Sequence, residues 1–382
     1  VNRRTAILQD VCEISMGQAP QGDSYNTESN GYPLIAGAGD FGDITPLPKK
    51  YTTEPTKLSR VDDIILCIRA TIGDRNWADS VYCLGRGVSG LRADPAQLNQ
   101  KYLWHWLGNA ADHLRSKGRG ATFLQVNRAD IGSMEIPLPP LPEQRRIAAI
   151  LDKADALRAK RRQAIAKLDQ LLQSVFLEMF GDPSEGWPLA SVGLIAQVQG
   201  GLQLSAARQS IPTKSPYLRV ANVYRGKLNL TEIKEMGVTP SELSRTRLQP
   251  NDILVVEGHG NPEEIGRCAM WNGAVEECTH QNHLIRVRVS DERIRPEFLE
   301  TYLNSSAGRS HLTGSARTTS GLNTISVTKV KEVPLRVPPI TIQKRWEQIK
   351  HSAQALVQSH EECLNRTDEL NATLQTSLLA GA

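Results

Sequence analysis

The sequence predicts an α+β chain: two mixed α/β domains in tandem, each followed by a long helix, with the two helices packed as an antiparallel coiled coil. Three observations carry that prediction. First, "PLPPLPEQRRI" at residues 137–147 runs from prolines into a charged, helix-favouring stretch, and Pro338, Pro339 and Ile340 followed by "TIQKRW" replay the transition. Second, the replay keeps one offset. Pro139 and Pro338, Gln144 and Gln343, Arg146 and Arg345, Leu157 and Leu356, and Leu171 and Leu370 are each 199 positions apart, so internal repetition governs the architecture. Third, apolar residues recur by heptads after both proline runs. The predicted boundaries are a domain over 1–140, a helix over 141–182, a second domain over 183–338 and a second helix over 339–382.

Each domain opens with short apolar runs bounded by Gly, Pro, Asn and Asp. "YPLIAGAG" and "DDIILCI" in the first, and "SPYLRVANVYRG" and "HLIRVRV" in the second, read as strands and turns. The repeat persists upstream with drifting offsets, Asp63 matching Asp252 and Tyr102 matching Phe298. Loops of different length account for the drift. A short helix is predicted near Tyr102–Leu107 and again near Phe298–Leu303.

Proline fixes φ and removes backbone donors, so the proline runs form stiff exits from the domains, and Pro142 fits the first helical turn. Glu143 there complements the helix dipole. From Ile147 the stripe runs through Ala154, Arg161, Leu168 and Val175, with Ile150, Leu157, Ala164 and Leu171 three residues after its first four members. Leu151, Ile165 and Leu172 flank it. The second helix shows Trp346, Ala353, His360, Thr367 and Leu374, with Ile349, Leu356, Cys363 and Leu370. In an antiparallel pair Arg161 and His360 would lie near one another as a central polar layer, either fixing register or sending their heads to solvent.

Composition narrows the classes. The chain has 382 residues, 40% of them hydrophobic, enough to fill real cores. No apolar run reaches the roughly 18–20 residues of a membrane span, and the polar "VNRRTAILQD" does not read as a signal peptide, so a cytoplasmic protein without a membrane partner is expected. Six scattered cysteines with no Cys-x-x-Cys pair suggest neither a disulfide framework nor a zinc ribbon. The net charge of +4 is spread along the chain, so any DNA surface must be local.

Catalytic signatures are missing. "GAGDFG" (Gly37–Gly42) matches G-x-G-x-x-G, but Pro46 and Pro48 forbid the helix that would cradle a pyrophosphate, and a glycine-rich strand or turn is expected instead. There is no G-x-x-x-x-G-K-[ST] and no Asn/Asp-Pro-Pro-aromatic tetrapeptide of the amino-methyltransferase type. Cys278, His280 and His283, with Cys268, could present metal ligands, but the spacing fits no standard zinc pattern, and a loop or strand face is favoured. No catalysis by this chain is expected.

Two acid-free windows stand out. One, between Asp112 and Asp130, carries Arg115, Lys117, Arg119, Thr122 and Arg128; the other, between Glu300 and Glu332, carries Arg309, Arg317, Asn323, Lys329 and Lys331. Both occupy the same place in their repeats. They mix cations with Gly, Ser, Thr and Asn, as close approach to phosphate and hydrogen bonding to bases require. A solvated loop is the plain alternative for either window alone.

With these residues in view, the whole chain resembles the specificity subunit of type I DNA restriction-modification systems. The motif is Pro137, Leu138, Pro139, Pro140, Leu141, Glu143, Gln144 and Ile147, continuing into "LDKADALRAKRRQAIAKLDQLLQSVFLEMFGDP"; the second copy has Ile342 and Trp346 where the motif has Glu and Ile. "YLRVANVYRGKL", with Arg219 and Asn222, and "DILVVEG" also look like parts of its recognition domains. The resemblance implies a non-catalytic subunit in which each domain reads one half of an interrupted double-stranded DNA target, and the strong difference between the two halves of the sequence makes an asymmetric target the expectation. The helices would set the gap between half-sites and dock two methyltransferase subunits; Gln144, Arg145, Ile147, Leu157, Leu168, Leu171, Trp346, Leu356 and Leu370 are the spacer and partner-facing candidates. The chain itself would bind no cofactor. S-adenosylmethionine, ATP and Mg would belong to partners, which include up to two restriction subunits. A DNA methyltransferase or nuclease catalytic in both halves, and a coiled-coil scaffold for proteins, are the competing readings.

Overall fold

The computed structural model describes residues 4–120, 123–181, 186–313, 317–319 and 322–379. The chain forms two compact units, one of residues 1–163 with 360–382 and one of residues 164–359. The unit boundary falls inside the two long helices, Leu141–Phe180 and Ile340–Leu379, each continuous over 40 residues. Each unit therefore contains one folded domain and one end of both helices.

In the first unit, strand Thr5–Ile7 pairs with Glu135–Pro137 and ties the start of the domain to its exit. A four-stranded antiparallel sheet follows in the order Cys12–Met16, Val88–Ala93, Ile64–Cys67, Arg75–Trp77. The run Ile64–Cys67 is wholly buried, which is why it reads as continuous rather than alternating hydrophobicity. A second sheet has the order Tyr25–Asn26, Lys50–Thr52, Tyr32–Ile35, Cys83–Leu84, its last pair parallel. Helix Gln100–Asn109 begins where the Asn99 side chain accepts from the amides of Lys101 and Tyr102, and it buries Tyr102, Leu103, Trp106 and Leu107.

The second unit repeats this plan. Strand Leu189–Ser191 pairs with Pro334–Arg336, and the main sheet has the order Ala196–Gly200, Leu284–Val289, Ile253–Val256, Cys268–Met270. Lys214–Leu218 pairs in parallel with Thr279–His280, as Tyr32–Ile35 does with Cys83–Leu84. Helix Pro296–Asn304 buries Phe298, Leu299 and Leu303.

The long helices run antiparallel within each unit. In the first, Ile147, Ala148 and Leu151 share a core cluster with Leu379, and Leu374 packs against it. In the second, Phe176 meets Trp346 edge-on at 5.0 Å, and Phe180 packs on Phe298 at 4.9 Å. The seam lies one helical step from its expected phase. It follows Ile147, Leu151, Ala154, Arg158, Arg161, Ile165, Leu168, Leu172, Val175 and Met179, all buried or half-buried, whereas Leu157 and Leu171 are 51% and 57% exposed. Leu356 and Leu370 on the other helix are 53% and 58% exposed. Steps of 3 then 4 and of 4 then 3 from Ile147 both fit a heptad. The second choice brings the larger Leu151, Ile165 and Leu172 inward beside the half-buried Ile150 and Ala164.

Polar groups punctuate the seam. Arg161 donates to the Cys363 carbonyl at 3.0 Å and to Thr367 Oγ1 at 2.6 Å, so its recorded partners are these rather than His360. Arg158 pairs with Asp368 at 2.5 Å. In the second unit Lys350, buried, pairs with buried Glu300. Among the described residues no helix is long and apolar enough to cross a membrane.

Candidate nucleic-acid interface

The residues expected to serve the spacer divide by burial. Gln144 is fully buried: its Oε1 accepts from the Asn99 amide at 2.8 Å, and its Nε2 donates to the carbonyls of Gln97 and Pro139 at 2.9 and 2.8 Å. Gln343 repeats the arrangement, accepting from the Arg295 amide and donating to the carbonyls of Arg293 and Pro338, all at 2.8 Å. Both glutamines latch a helix start onto its own domain from inside. Ile147 and Trp346 are likewise buried, and Leu168 is half-buried in the seam. Arg145, Leu157, Leu171, Leu356 and Leu370 are exposed.

Several residues expected to meet DNA are tied into the fold. Arg115 pairs with Asp112 at 2.5 Å and donates to the Ile72 carbonyl at 3.3 Å. Arg119, three-quarters exposed, reaches Asp130 at 3.1 Å, the residue that forms a capping box with Asn127 at helix Arg128–Gly132. Arg219 pairs with Glu232 at 2.6 Å. Asn222 is buried, donating to the carbonyls of Asn229 and Glu232 at 2.8 and 2.9 Å, and so holds its own turn. Arg309 donates to the Glu263 carbonyl. Lys117 lies at the end of helix Ala111–Ser116. Thr122 lies outside the described residues. Arg317 and Asn323 are placed by backbone: Arg317–Thr319 pairs with Leu322–Thr324, which pairs in turn with Gly258–His259.

The described residues of each window pair antiparallel at the equivalent edge of their own unit. In the first unit the amides and carbonyls of Arg119 and Gln125 bond at 3.0 and 2.9 Å, and the Ala70 amide donates to the Leu124 carbonyl at 3.0 Å. Phe123 within this hairpin is 63% exposed. The two units then match bond for bond. The Val126 amide donates to the Ile68 carbonyl at 3.1 Å, as Ile325 does to Glu257 at 2.8 Å; the Ile68 amide donates to the Gly87 carbonyl at 2.9 Å, as Glu257 does to His283 at 2.9 Å.

Beside the first hairpin is a cavity of about 250 Å³ lined by the glycine-rich turn Ala36–Gly39, by Arg69, Ala70 and Thr71, and by Arg86 and Gly87. The "GAGDFG" segment is a 3-10 turn at Ala38–Asp40, with Asp40 accepting from the Ala36 amide at 2.8 Å. Gly87 is required here, since a Cβ would stand 2.1 Å from the Ala36 carbonyl oxygen. Ala70 takes φ +60°, a strained value for a residue with a side chain. Neither Arg69 nor Arg86 has an ion pair among the described residues, and the buried Arg69 Nε has no hydrogen-bond partner.

In the second unit these matched bonds put Glu257 and His283 where the first unit has Ile68 and Gly87. Glu257 faces His283 at 3.5 Å, and burial raises the Glu257 pKa above the ordinary glutamate value, with His283 opposing the shift. His280, at the end of strand Thr279–His280, turns inward with Nδ1 at 3.3 Å from the Thr246 carbonyl, and burial holds its pKa down to about 4. Among the described residues Cys278, His280 and His283 form no convergent ligand group. Arg69, Arg86 and Glu257 were not among the expected site residues, whereas His283 was weighed as a metal ligand. A signal was present: each wholly buried run, "IILC" and "ILVV", leads within two residues to a charged side chain.

Comparison with known proteins adds the following. Residues 4–168 match the family model described as the type I restriction modification DNA specificity domain. The chain is 34% identical over 168 residues to the putative type I restriction enzyme MjaX specificity subunit of Methanocaldococcus jannaschii, an alignment covering 43% of this chain and 40% of that relative. It is 24% identical over 377 residues to the type I restriction enzyme EcoKI specificity subunit of Escherichia coli, covering 90% of this chain and 80% of that one. Among solved structures, the type-I restriction-modification S subunit of M. genitalium superposes with a TM-score of 0.58 at 15% identity, covering 99% of this chain and 96% of that one. A chain from a study of complex assembly and conformational transition in the type I R-M system gives 0.63 at 17% identity, covering 98% and 97%.

Proposed function

We propose that this chain, a member of the specificity-subunit family of type I restriction-modification systems, reads a two-part DNA target with one unit per half-site. The observation that carries this is the bond-for-bond match of the two hairpin edges, which repeat one backbone while carrying different side chains. A repeated backbone with divergent chemistry is what an asymmetric, interrupted target calls for. The absence of phosphate-cradle and amino-methyltransferase motifs fits a subunit whose chemistry lies in its partners.

The long helices are the spacer in this reading. Their seam phase leaves Leu157 and Leu370 of the first unit and Leu171 and Leu356 of the second exposed, one leucine from each helix in each unit. Four leucines at 199-residue spacing suit two copies of one partner, and two methyltransferase subunits are the proposed occupants. S-adenosylmethionine, ATP and Mg would act on the partner subunits, with restriction subunits joining the assembly.

Titrating labelled duplex with the chain alone and with co-expressed methyltransferase tests the reading. Weak, steeply salt-dependent binding alone and tight, sequence-selective binding in the complex are expected. Equal sequence-selective affinity in both preparations would contradict it.

A further inference from the structure

Where the second domain meets the start of the long helix Ile340–Leu379, two carboxylates and an imidazole converge. One ligand atom each from Glu297, Glu347 and His351 lie within 4.8 Å of one another. Two helices hold them. Glu297 stands two residues past the Arg295 cap of helix Pro296–Asn304, and Glu347 and His351, four apart in sequence, share one face of the long helix. All three belong to the second unit, and His351 is exposed, so the cluster is open to solvent on one side.

The charges there are not balanced from within. Arg295 donates to both oxygens of Glu347, at 3.0 and 2.9 Å, and these bonds hold that carboxyl below the ordinary glutamate range. Glu297 has no such donor. Its side chain is only 8% exposed, and its buried Oε2 makes no hydrogen bond. This oxygen stands 4.0 Å from the same Arg295 Nε that serves Glu347, so it is aimed into the cluster. An unmet buried oxygen beside a second carboxylate calls for a cation or a proton between them.

The first unit closes the equivalent place with a cation of its own. The bonds from the Asn99 amide to Gln144 and from the Arg295 amide to Gln343 set the correspondence between the units. Lys101 then takes the place of Glu297, Ala148 that of Glu347 and Asp152 that of His351. Lys101 pairs with Asp152 at 2.6 Å, tying the domain helix to the long helix. The second unit has a carboxylate where that ammonium stands, a further carboxylate where alanine stands, and an imidazole opposite.

We propose that Glu297, Glu347 and His351 bind a divalent first-row transition ion of the zinc class, which fastens helix Pro296–Asn304 to the long helix as the Lys101–Asp152 pair does in the first unit. Each Glu347 oxygen keeps a second lone pair beside its bond from Arg295. Imidazole with carboxylates suits Zn2+, and water completes the coordination. The site is independent of the DNA-reading assignment.

The test is calorimetric titration of the full-length chain, stripped with chelator, with ZnCl2 and separately with MgCl2, alongside melting curves. A single equivalent of Zn2+ should bind and raise the melting temperature, because an ion held by the folded state alone stabilises it. Mg2+ should not replace it, since Mg2+ dehydrates reluctantly and disfavours imidazole. His351→Ala, at an exposed side chain, should leave the metal-free melting temperature unchanged and abolish the rise. It should lower Zn2+ affinity by at least the roughly 10- to 100-fold lost when an outer partner of a metal ligand is removed. Glu297→Gln should weaken binding likewise, and His283→Ala should not. No Zn2+ uptake by the native chain, uptake that survives His351→Ala, or uptake lost with His283→Ala would each overturn the proposal.

Discussion

Gln144 and Gln343 explain, one side chain at a time, why the proline-to-helix junction is repeated. Each fills both ends of its amide with three backbone partners, so the first turn of a long helix is bolted to the domain before it. Gln144→Ala would leave buried backbone groups unpaired, each costing about 1–3 kcal/mol. A drop in melting temperature, with no loss from the exposed Arg145→Ala, is the expected result. Glu242 supplies a second residue-scale prediction. Its hydrogen bonds from Arg208, then from the Thr239 amide, lower its pKa from 4.5 to about 2. A depressed carboxyl stabilises the fold above its unfolded pKa and loses that contribution as pH falls through the folded value. The stability difference between the native chain and Glu242→Gln should therefore be full at neutral pH and vanish between about pH 4.5 and 2 in pH-dependent melting. The repeat made Gln144 legible in the sequence as a repeated residue, yet its burial was not legible, because its partners Gln97 and Asn99 lie some 45 residues upstream. Arg69 and Arg86 were missed for the same reason: loops distant in sequence bring them together.

Helices and strands were the most legible elements. The proline runs, the heptads and the wholly buried strand runs announce themselves locally, and the two short helices fall where the periodicity places them. The seam phase was not legible, because two heptad registers from Ile147 satisfy the same spacing and only packing chooses between them. That choice has consequences. Leu157→Ser and Leu370→Ser, both on the exposed side, should change the chain's own stability by no more than about 0.5 kcal/mol while weakening co-purification with methyltransferase; full retention of the partner would argue against docking there. Lys350→Met should behave in the opposite way. It strands buried Glu300 of helix Pro296–Asn304 without its partner, at a cost of about 3–5 kcal/mol, and adding Glu300→Leu should recover much of the loss in a denaturation series.

At the scale of the whole molecule, the tandem plan was legible from the repeat and its motif, while the equivalence of the two hairpin edges required the backbone match between units. The spacer proposal predicts a length effect. Removing one heptad from both long helices takes out about 10 Å of helix, equivalent to about 3 bp of duplex, and the unmodified gap of the methylation motif should shorten accordingly. An unchanged gap in a folded variant would contradict the spacer role. The most direct measurement of the central claim is a map of modified adenines in the host genome with this gene intact and deleted. The account predicts that deletion removes one interrupted, two-part, asymmetric motif and leaves every other modified sequence untouched. A map unchanged by deletion in a host that expresses the chain would contradict it.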